Sequence, residues 1–263
     1  MNFKTVNIYK IKNRTGETVT DCVAVEQPLL IVVDDNEFAT IMRTPGNDKE
    51  LSVGFLFSEG LINKLDDIRM IKVDGSDAVD SLNTVKVNLC NKVNVSNARC
   101  YEVRSSCGVC GKKKIDDLFQ EVGVLSSSLK IKIDDLFSMP DIMSSAQDLS
   151  KVTRGVHAAA FFTKDADMIA CYEDIGRHNA LDKLIGHCLL HEIKMDDKAL
   201  LLSGRTSYEM MTKAARARVP VVASISAPSS MAVEIAQKGN IALAGILRGN
   251  NVTIYNKQED FIR

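Results

Sequence analysis

The feature that most constrains the fold is a strand, loop and helix pattern that repeats three times across residues 151–263. Strand-like runs at 168–172, 199–202 and 221–225 each lead through a polar loop into a segment of helical length, and another apolar run covers 241–246. Alternation on this scale favours parallel βαβ connections, which place the strand-to-helix loops at one edge of the sheet. We therefore predict an α/β domain with a ligand site at that edge.

The loops at this predicted edge are rich in groups that bind phosphate. One reads Arg177-His178-Asn179 and the next Ser203-Gly204-Arg205. Arginine offers a planar pair of donors, and helix N-termini offer free peptide N–H groups. Neither a Walker A loop nor a Gly-x-Gly-x-x-Gly motif is present, so we predict only a phosphate-bearing ligand. Thr206–Glu209 reads as a capping box with Glu209 at N3, and His157, among small residues, is interpreted as a packed core histidine.

Residues 1–104 are predicted to form a β-rich N-terminal domain. Its strand-like segments are separated by Gly16, Pro28 and the turn at 44–47. One helix is predicted between Asp48, as its cap, and Glu59, with Gly60 at the C′ position. Residues 105–150 are polar, and we expect a cysteine loop followed by helical pieces that connect the two domains.

The cysteine loop contains a pair of thiols, Cys107 and Cys110, with Gly108 and Gly111 beside them. The ammonium groups of the lysines at 112–114 favour thiolate, which is the nucleophilic form of cysteine. Two thiols at this spacing can also hold a soft metal, and the spacing alone leaves both chemistries open. A closed metal site needs four ligands, and no second CxxC motif supplies them. We expect an exposed, mobile loop and no metal.

The remaining cysteines and a second histidine are interpreted as structural. Seven cysteines in a chain without an export signal make a disulfide framework improbable. Five are interpreted as small buried hydrophobic residues: Cys22, Cys90, Cys100, Cys171 and Cys188. The apolar stripe of the helix predicted at 180–193 places His187 on the opposite, solvated face.

Composition excludes several classes of protein. The formal net charge is −1, whereas a dedicated nucleic-acid binder usually carries a basic excess. No apolar run approaches the roughly 20 residues that span a bilayer, and residues 1–4 lack the apolar core of a signal peptide. We therefore expect a cytoplasmic protein that binds neither nucleic acid nor membrane.

Six ordered motifs resemble those of the FdhD family, the formate dehydrogenase accessory sulfurtransferases. They are Glu26-Gln27-Pro28-Leu29, Met42-Arg43-Thr44-Pro45-Gly46, the stretch from Leu51 to Gly60, Ser106-Cys107-Gly108-Val109-Cys110-Gly111, the stretch from Glu173 to Lys183, and the stretch from Ser203 to Met210. The matches run in family order from residue 21 to about residue 255. Chance agreement over so many ordered motifs is remote.

The resemblance implies an enzyme, a sulfurtransferase with a cysteine persulfide intermediate. It would accept sulfur from a cysteine desulfurase on Cys107, with Cys110 assisting, and pass it to the molybdenum bis(molybdopterin guanine dinucleotide) cofactor required by formate dehydrogenase. The fold it implies is α/β, a three-layer core like that of the cytidine deaminases but without their zinc. A homodimer is also a family-based expectation.

The cofactor-binding segment implied by the family follows the last core strand, at Ile246, Leu247, Arg248, Gly249, Asn250 and Asn251. Together with the predicted sheet edge, this gives a cofactor site formed by Asp174, Arg177, His178, Ser203, Arg205 and residues 246–251. Two positions depart from the family pattern: Arg154 replaces a frequent glycine, and a frequent arginine near Asn251 is absent.

Two other functions remain compatible with the residues. One is a chaperone that binds and delivers the cofactor while its cysteines hold a structural or regulatory metal. The other is a dithiol–disulfide oxidoreductase, which the absence of a thioredoxin-like βαβ unit around the CxxC motif disfavours.

Overall fold

The computed structural model describes residues 2–74, 83–91, 101–103 and 115–262. Cys107 and Cys110, together with Cys100 and the lysines at 112–114, lie outside the described residues. The predictions made for them therefore stay predictions.

The N-terminal part consists of a hairpin and a five-stranded sheet; the sequence predicts that this part is rich in strands but not how they pair. Among the described strands, β1 (Phe3–Lys12) and β2 (Thr15–Ala24) pair only with each other. The sheet has the order β5-β6-β3-β4-β7, in which β3 pairs antiparallel with β4 and parallel with β6. Its strands are β3 (Gln27–Val33), β4 (Asn36–Arg43), β5 (Ile68–Asp74), β6 (Asn83–Leu89) and β7 (Tyr101–Val103).

Helix α1 (Asp48–Ser58) confirms the predicted helix but not its predicted cap. The N-cap residue is Asn47, in the left-handed region, and its side chain forms no capping bond. The carboxylate of Asp48 instead accepts two hydrogen bonds from Arg43, at 2.8 and 2.9 Å. Gly60, with φ of 79°, follows the C-cap as predicted.

The C-terminal part is built on a six-stranded sheet of order β10-β9-β11-β12-β13-β14. Strands β11, β12 and β13 are mutually parallel, whereas β9 runs antiparallel to both β10 and β11. Consequently β10, β11, β12 and β13 all end at the same edge, which we call the carboxyl edge. The strands are β9 (His157–Phe162), β10 (Met168–Asp174), β11 (Ala199–Leu202), β12 (Val221–Ser224), β13 (Ala242–Arg248) and β14 (Asn251–Asn256).

Helices cover both faces of this sheet. On one face, α5 (Arg177–Leu190), α6 (Tyr208–Arg216) and α7 (Ser230–Gly239) share a hydrophobic core with α1 and the N-terminal sheet. On the other face, α3 (Ile133–Ala146) packs in a second core with β8 (Ile131–Lys132) and β15 (Phe261–Ile262). Two shorter helices, α2 (Ile115–Val122) and α4 (Asp148–Thr153), complete the helical connection. The fold is thus mixed α/β, and its likeness to the cytidine deaminases stays a prediction.

Helices α1 and α5 cross in direct backbone contact. A Cβ atom added to Gly54 would lie 1.8 Å from the carbonyl oxygen of Asp182, and one added to Gly186 would lie 1.8 Å from that of Glu50. Only glycine fits such a crossing, because real Cβ atoms never approach backbone oxygen so closely. This contact fixes α1 of the N-terminal part against the helix that begins at the carboxyl edge.

Candidate functional site at the carboxyl edge

Three of the loops predicted to lie together do converge at the carboxyl edge. The first residue of β9, His157, is paired with Asp174 at the end of β10. The neighbouring strand β11 ends at Leu202, opposite Ala159. The structure therefore confirms the shared edge that the βαβ pattern predicts, although one antiparallel strand is inserted between β10 and β11.

Asp174 organises the backbone beneath the edge. Its carboxylate is fully buried and accepts bonds from the peptide N–H groups of Thr44 and Gly176, from Asn179 Nδ2 and from Lys183 Nζ, at 2.7–3.1 Å. With no exposed surface and four donors, this carboxylate holds the start of α5 in place. The role of Asp174 at the cofactor site stays a prediction.

The arginines at this edge are available to a ligand. Arg205 is exposed and Arg177 is half-buried, and within the described ranges neither forms an ion pair with a carboxylate. Gly204 lies between the two loops, since a Cβ added there would lie 3.1 Å from His157 Nδ1 and 3.6 Å from Arg177 Cβ. The convergence of two guanidinium groups makes the edge cationic, as a phosphate site requires.

His157 belongs to this edge rather than to the core. It is half-buried, and its Nδ1 lies 3.5 Å from Ser203 Oγ, which in turn accepts a hydrogen bond from the N–H of Ala158 at 2.8 Å. Burial, followed by the charges of Arg177 and Arg205, lowers the pKa of His157. The interpretation as a packed core histidine was wrong, because the ring is only half-buried and borders Gly204 of the 203–205 loop.

His178 follows Arg177 in the first turn of α5. Burial, with smaller contributions from Lys213 and Arg177, lowers its pKa to about 4. The ring is therefore neutral at neutral pH. Glu209 of α6 is its nearby carboxylate, and this group accepts a hydrogen bond from Ser207 Oγ at 2.7 Å.

The capping box predicted at Thr206–Glu209 is wrong by one residue. Ser207 is the N-cap residue, and α6 starts at Tyr208, which puts Glu209 at N2. The hydroxyl of Ser207 is bonded to the Glu209 side chain instead of to a free peptide N–H. Thr206, the residue predicted to cap the helix, is completely buried.

The sequence predicts that residues 246–251 form a loop after the last core strand, but only Gly249 and Asn250 form the turn: residues 246–248 are the end of β13 and Asn251 is the start of β14. Arg248 is exposed, and its Nε donates to the carbonyl of Ile225 at 3.2 Å. Ile246 is exposed with φ of 55°, whereas Leu247 is fully buried. The side chain of Leu247 therefore belongs to the core, and its contact with the cofactor stays a prediction. Gly249, Asn250 and Asn251 are exposed.

Three buried polar atoms in the segments that form this edge have no hydrogen-bond partner. They are Arg177 Nε, His178 Nε2 and Thr206 Oγ1, and only one other such atom, in Asp34, occurs among the described side chains. A buried polar group without a partner costs about 1–3 kcal/mol, so it marks a position where a partner is missing. Their concentration here fits a site that binds a polar ligand.

The described cysteines are not uniformly buried, contrary to their interpretation from the sequence. Cys188 is fully buried, Cys22 and Cys171 are half-buried, and Cys90 is exposed. Burial raises the pKa of Cys171 and of Cys188 to about 12, so both stay protonated at neutral pH. Among the side chains that the structure describes, no three His, Cys, Asp or Glu residues cluster as metal ligands.

Sequence reasoning missed the contribution of the N-terminal part to this edge. Besides its N–H bond to Asp174, Thr44 accepts a hydrogen bond on Oγ1 from the N–H of Ile175 at 3.0 Å, and its carbonyl accepts one from Lys183 at 2.9 Å. Asn179 donates to the carbonyl of Met42 at 2.8 Å. Thr44 and Lys183 each lie in one of the family-like motifs, but no local sequence pattern predicts that the two residues are in contact.

Comparison with known proteins identifies the family. The sequence profile of the FdhD/NarQ family matches residues 24–262. The chain belongs to this family. It is 42% identical over 266 aligned positions to a protein named sulfur carrier protein FdhD from Sulfurisphaera tokodaii, with full coverage of both chains. A protein of the same name from Sulfolobus acidocaldarius is 40% identical, with 98% of each chain covered.

A solved structure of a family neighbour has the same fold. The crystal structure of a proposed formate dehydrogenase accessory protein from Desulfotalea psychrophila superimposes with a TM-score of 0.80 over all of both chains, at 22% identity. This likeness supports the architecture alone. Among the described residues, no helix has both the length and the apolar composition needed to cross a bilayer.

Proposed function

We propose that this protein is a sulfurtransferase that serves formate dehydrogenase. It accepts sulfur from a cysteine desulfurase on Cys107 and passes it to the molybdenum bis(molybdopterin guanine dinucleotide) cofactor. The observation that carries the proposal is the cationic carboxyl edge with its three unpartnered buried atoms, in a chain whose full-length relatives are named sulfur carriers.

The residues of the edge fit the acceptor. Arg177, Arg205 and Arg248 would meet the phosphates of its guanine dinucleotides, since guanidinium groups bind phosphate oxygens in a bidentate manner. The helix N-termini of α5, α6 and α7 point toward the same edge and add positive potential. Residues 246–251, at the junction of β13 and β14, would contact the nucleotide through their exposed groups.

His157 and His178 add neutral groups to this charged site. The pKa of each is lowered from its usual value, so neither ring adds positive charge at neutral pH. A neutral imidazole can donate from one nitrogen and accept at the other, which a base or sugar hydroxyl requires. The edge therefore offers cations for phosphates and neutral donors and acceptors for the rest of the nucleotide.

The loading step on the cysteine is a simple exchange. The Cys107 thiolate attacks the terminal sulfur of a persulfide on the donor enzyme, the donor S–S bond breaks, and the donor cysteine leaves as thiolate. A persulfide forms on Cys107, and the exchange needs neither an oxidant nor a reductant. Of the described cysteines, Cys171 and Cys188 are unsuited to this role because their thiols stay protonated.

The proposal places the protein in the cytoplasm, where desulfurase and apoenzyme are made, and takes it to be a homodimer. Cys110 assists in the transfer or resolves the persulfide on Cys107.

The test in cells uses a strain that lacks the chain and is complemented with variants. Cys107→Ala should abolish formate dehydrogenase activity, whereas Cys90→Ala, which removes an exposed cysteine outside the loop, should leave it intact. Full activity with Cys107→Ala would contradict the proposal.

A further inference from the structure

Two histidines form a pair at the C-terminal end of α5, the end opposite the carboxyl edge. His187 lies in the last turn of the helix, and His191 is its C-cap residue, one turn later. The centroids of the two rings are 4.4 Å apart, and the ring planes make an angle of 46°. His191 is exposed and His187 is half-buried, so solvent reaches the pair. The prediction of a solvated face for His187 is correct only in part.

A tyrosine orients the inner ring of the pair. The hydroxyl of Tyr172, on strand β10, lies 3.0 Å from Nδ1 of His187. This hydrogen bond occupies Nδ1 and leaves Nε2 as the nitrogen available to a ligand. Metal-binding histidines are typically held in this way, by a hydrogen bond to the nitrogen that does not bind the metal.

Negative charge lies close to the pair. The carboxylate of Glu50 is near enough to His187 to raise its pKa, although burial and the charge of His191 together lower that pKa. The C-terminal end of α5 also carries partial negative charge, which favours a cation beside His191.

We propose that His187 and His191 form a binding site for a divalent transition metal ion that prefers imidazole, Ni²⁺ or Cu²⁺. Histidines at i and i+4 on one helix face are spaced to share a metal ion. No cluster of three ligands is found in the described ranges, so water would complete the coordination.

The separation of the rings is compatible with a shared ion. A metal–nitrogen distance of roughly 2.1 Å puts each ring centroid roughly 3.2 Å from the ion, so two rings at right angles around it lie roughly 4.5 Å apart, close to the observed 4.4 Å. Coordination by imidazole nitrogen and water oxygen is typical of Cu²⁺ and Ni²⁺.

The experiment is calorimetric titration of the full chain with Ni²⁺ at neutral pH. The parent is the Cys107→Ser/Cys110→Ser variant, which removes the thiol pair as a competing ligand. It should bind one equivalent of Ni²⁺, with affinity at least tenfold lower in His187→Ala and in His191→Ala. Tyr172→Phe should lower the affinity roughly tenfold, because the orienting hydrogen bond is lost. His157→Ala, a histidine outside the pair, should bind as the parent does.

Absence of saturable Ni²⁺ binding in the parent would overturn the proposal, as would unchanged affinity in His191→Ala. Because the side chain of His191 is exposed, we expect His191→Ala to keep the fold, so that a loss of Ni²⁺ affinity in this variant reports on the site itself. The result is also independent of sulfur transfer, because the parent lacks both loop cysteines.

Discussion

Lys183 Nζ lies 2.7 Å from Asp174 Oδ2, and both side chains are almost completely inaccessible to solvent. This ion pair lies directly beneath the carboxyl edge and joins the end of β10 to the body of α5. Removing one partner of a buried pair leaves an uncompensated charge, which costs about 3–5 kcal/mol. The pair therefore couples the geometry of the site to the stability of the fold.

Lys183→Met should lower the free energy of unfolding by about 3–5 kcal/mol, because the buried carboxylate of Asp174 loses its ion-pair partner. Denaturant titration measures the change. Lys238→Met is the matched control: its ion pair with Glu234 is exposed and should contribute no more than about 1 kcal/mol. Equal losses of stability in the two variants would contradict the burial of the Lys183–Asp174 ion pair.

Gly54→Ala should destabilise the protein by about 3 kcal/mol or more, because the new Cβ would overlap the carbonyl oxygen of Asp182. Gly155→Ala is the control, since its added Cβ would meet its nearest neighbour at an ordinary 3.6 Å. Thermal or denaturant unfolding distinguishes them. If Gly54→Ala unfolds like the control, helices α1 and α5 do not cross as described.

Acid should destabilise the protein through His178. Its pKa falls from 6.5 to about 4 on folding, so between those values the unfolded chain binds more protons than the folded one. The stabilisation is complete above pH 6.5 and is lost as the pH falls toward 4. At 1.36 kcal/mol per unit, roughly 2 kcal/mol should be lost between pH 7 and pH 5.

Denaturant titrations of the wild type and of His178→Gln at pH 7 and pH 5 check this prediction. The variant lacks the titrating ring, so its loss of stability over the same interval should be smaller by roughly 2 kcal/mol. The comparison cancels the contributions of His157 and His187, whose pKa values are also lowered. An equal loss in both proteins would show that His178 is not buried.

Arg205→Ala should weaken the binding of GDP, used as a fragment of the proposed acceptor, by roughly tenfold or more, because a charge-assisted hydrogen bond contributes about 1.5–3 kcal/mol. Arg69→Ala removes an exposed arginine of β5, far from the carboxyl edge in the sheet topology, and should leave the affinity unchanged. Calorimetry at fixed ionic strength gives both values. Equal weakening by the two substitutions would indicate nonspecific attraction.

The sequence predicts the periodic part of this fold well. Apolar runs at 199–202 and 221–225 become strands because β-branched and aliphatic residues fill a sheet that is buried on both faces. Their parallel direction also follows from the pattern. Strand β9 does not, since nothing in His157–Phe162 says that it is inserted antiparallel between β10 and β11.

Properties that depend on distant segments are harder to predict. The half-buried ring of His157 borders Gly204 in the loop after β11, and the buried carboxylate of Asp174 accepts a hydrogen bond from Thr44, 130 residues earlier. The exposure of Cys90 likewise depends on where its strand ends. Such side chains are assigned correctly only when the three-dimensional neighbours are known.

The central claim is that Cys107 carries sulfur, and one measurement tests it most directly. The purified chain is incubated with a cysteine desulfurase and cysteine, and the peptide containing residues 107–110 is examined by mass spectrometry. One added sulfur atom is expected on the wild-type and Cys90→Ala peptides and none on Cys107→Ala. An unmodified wild-type peptide, or sulfur retained on the peptide of Cys107→Ala, would contradict the account.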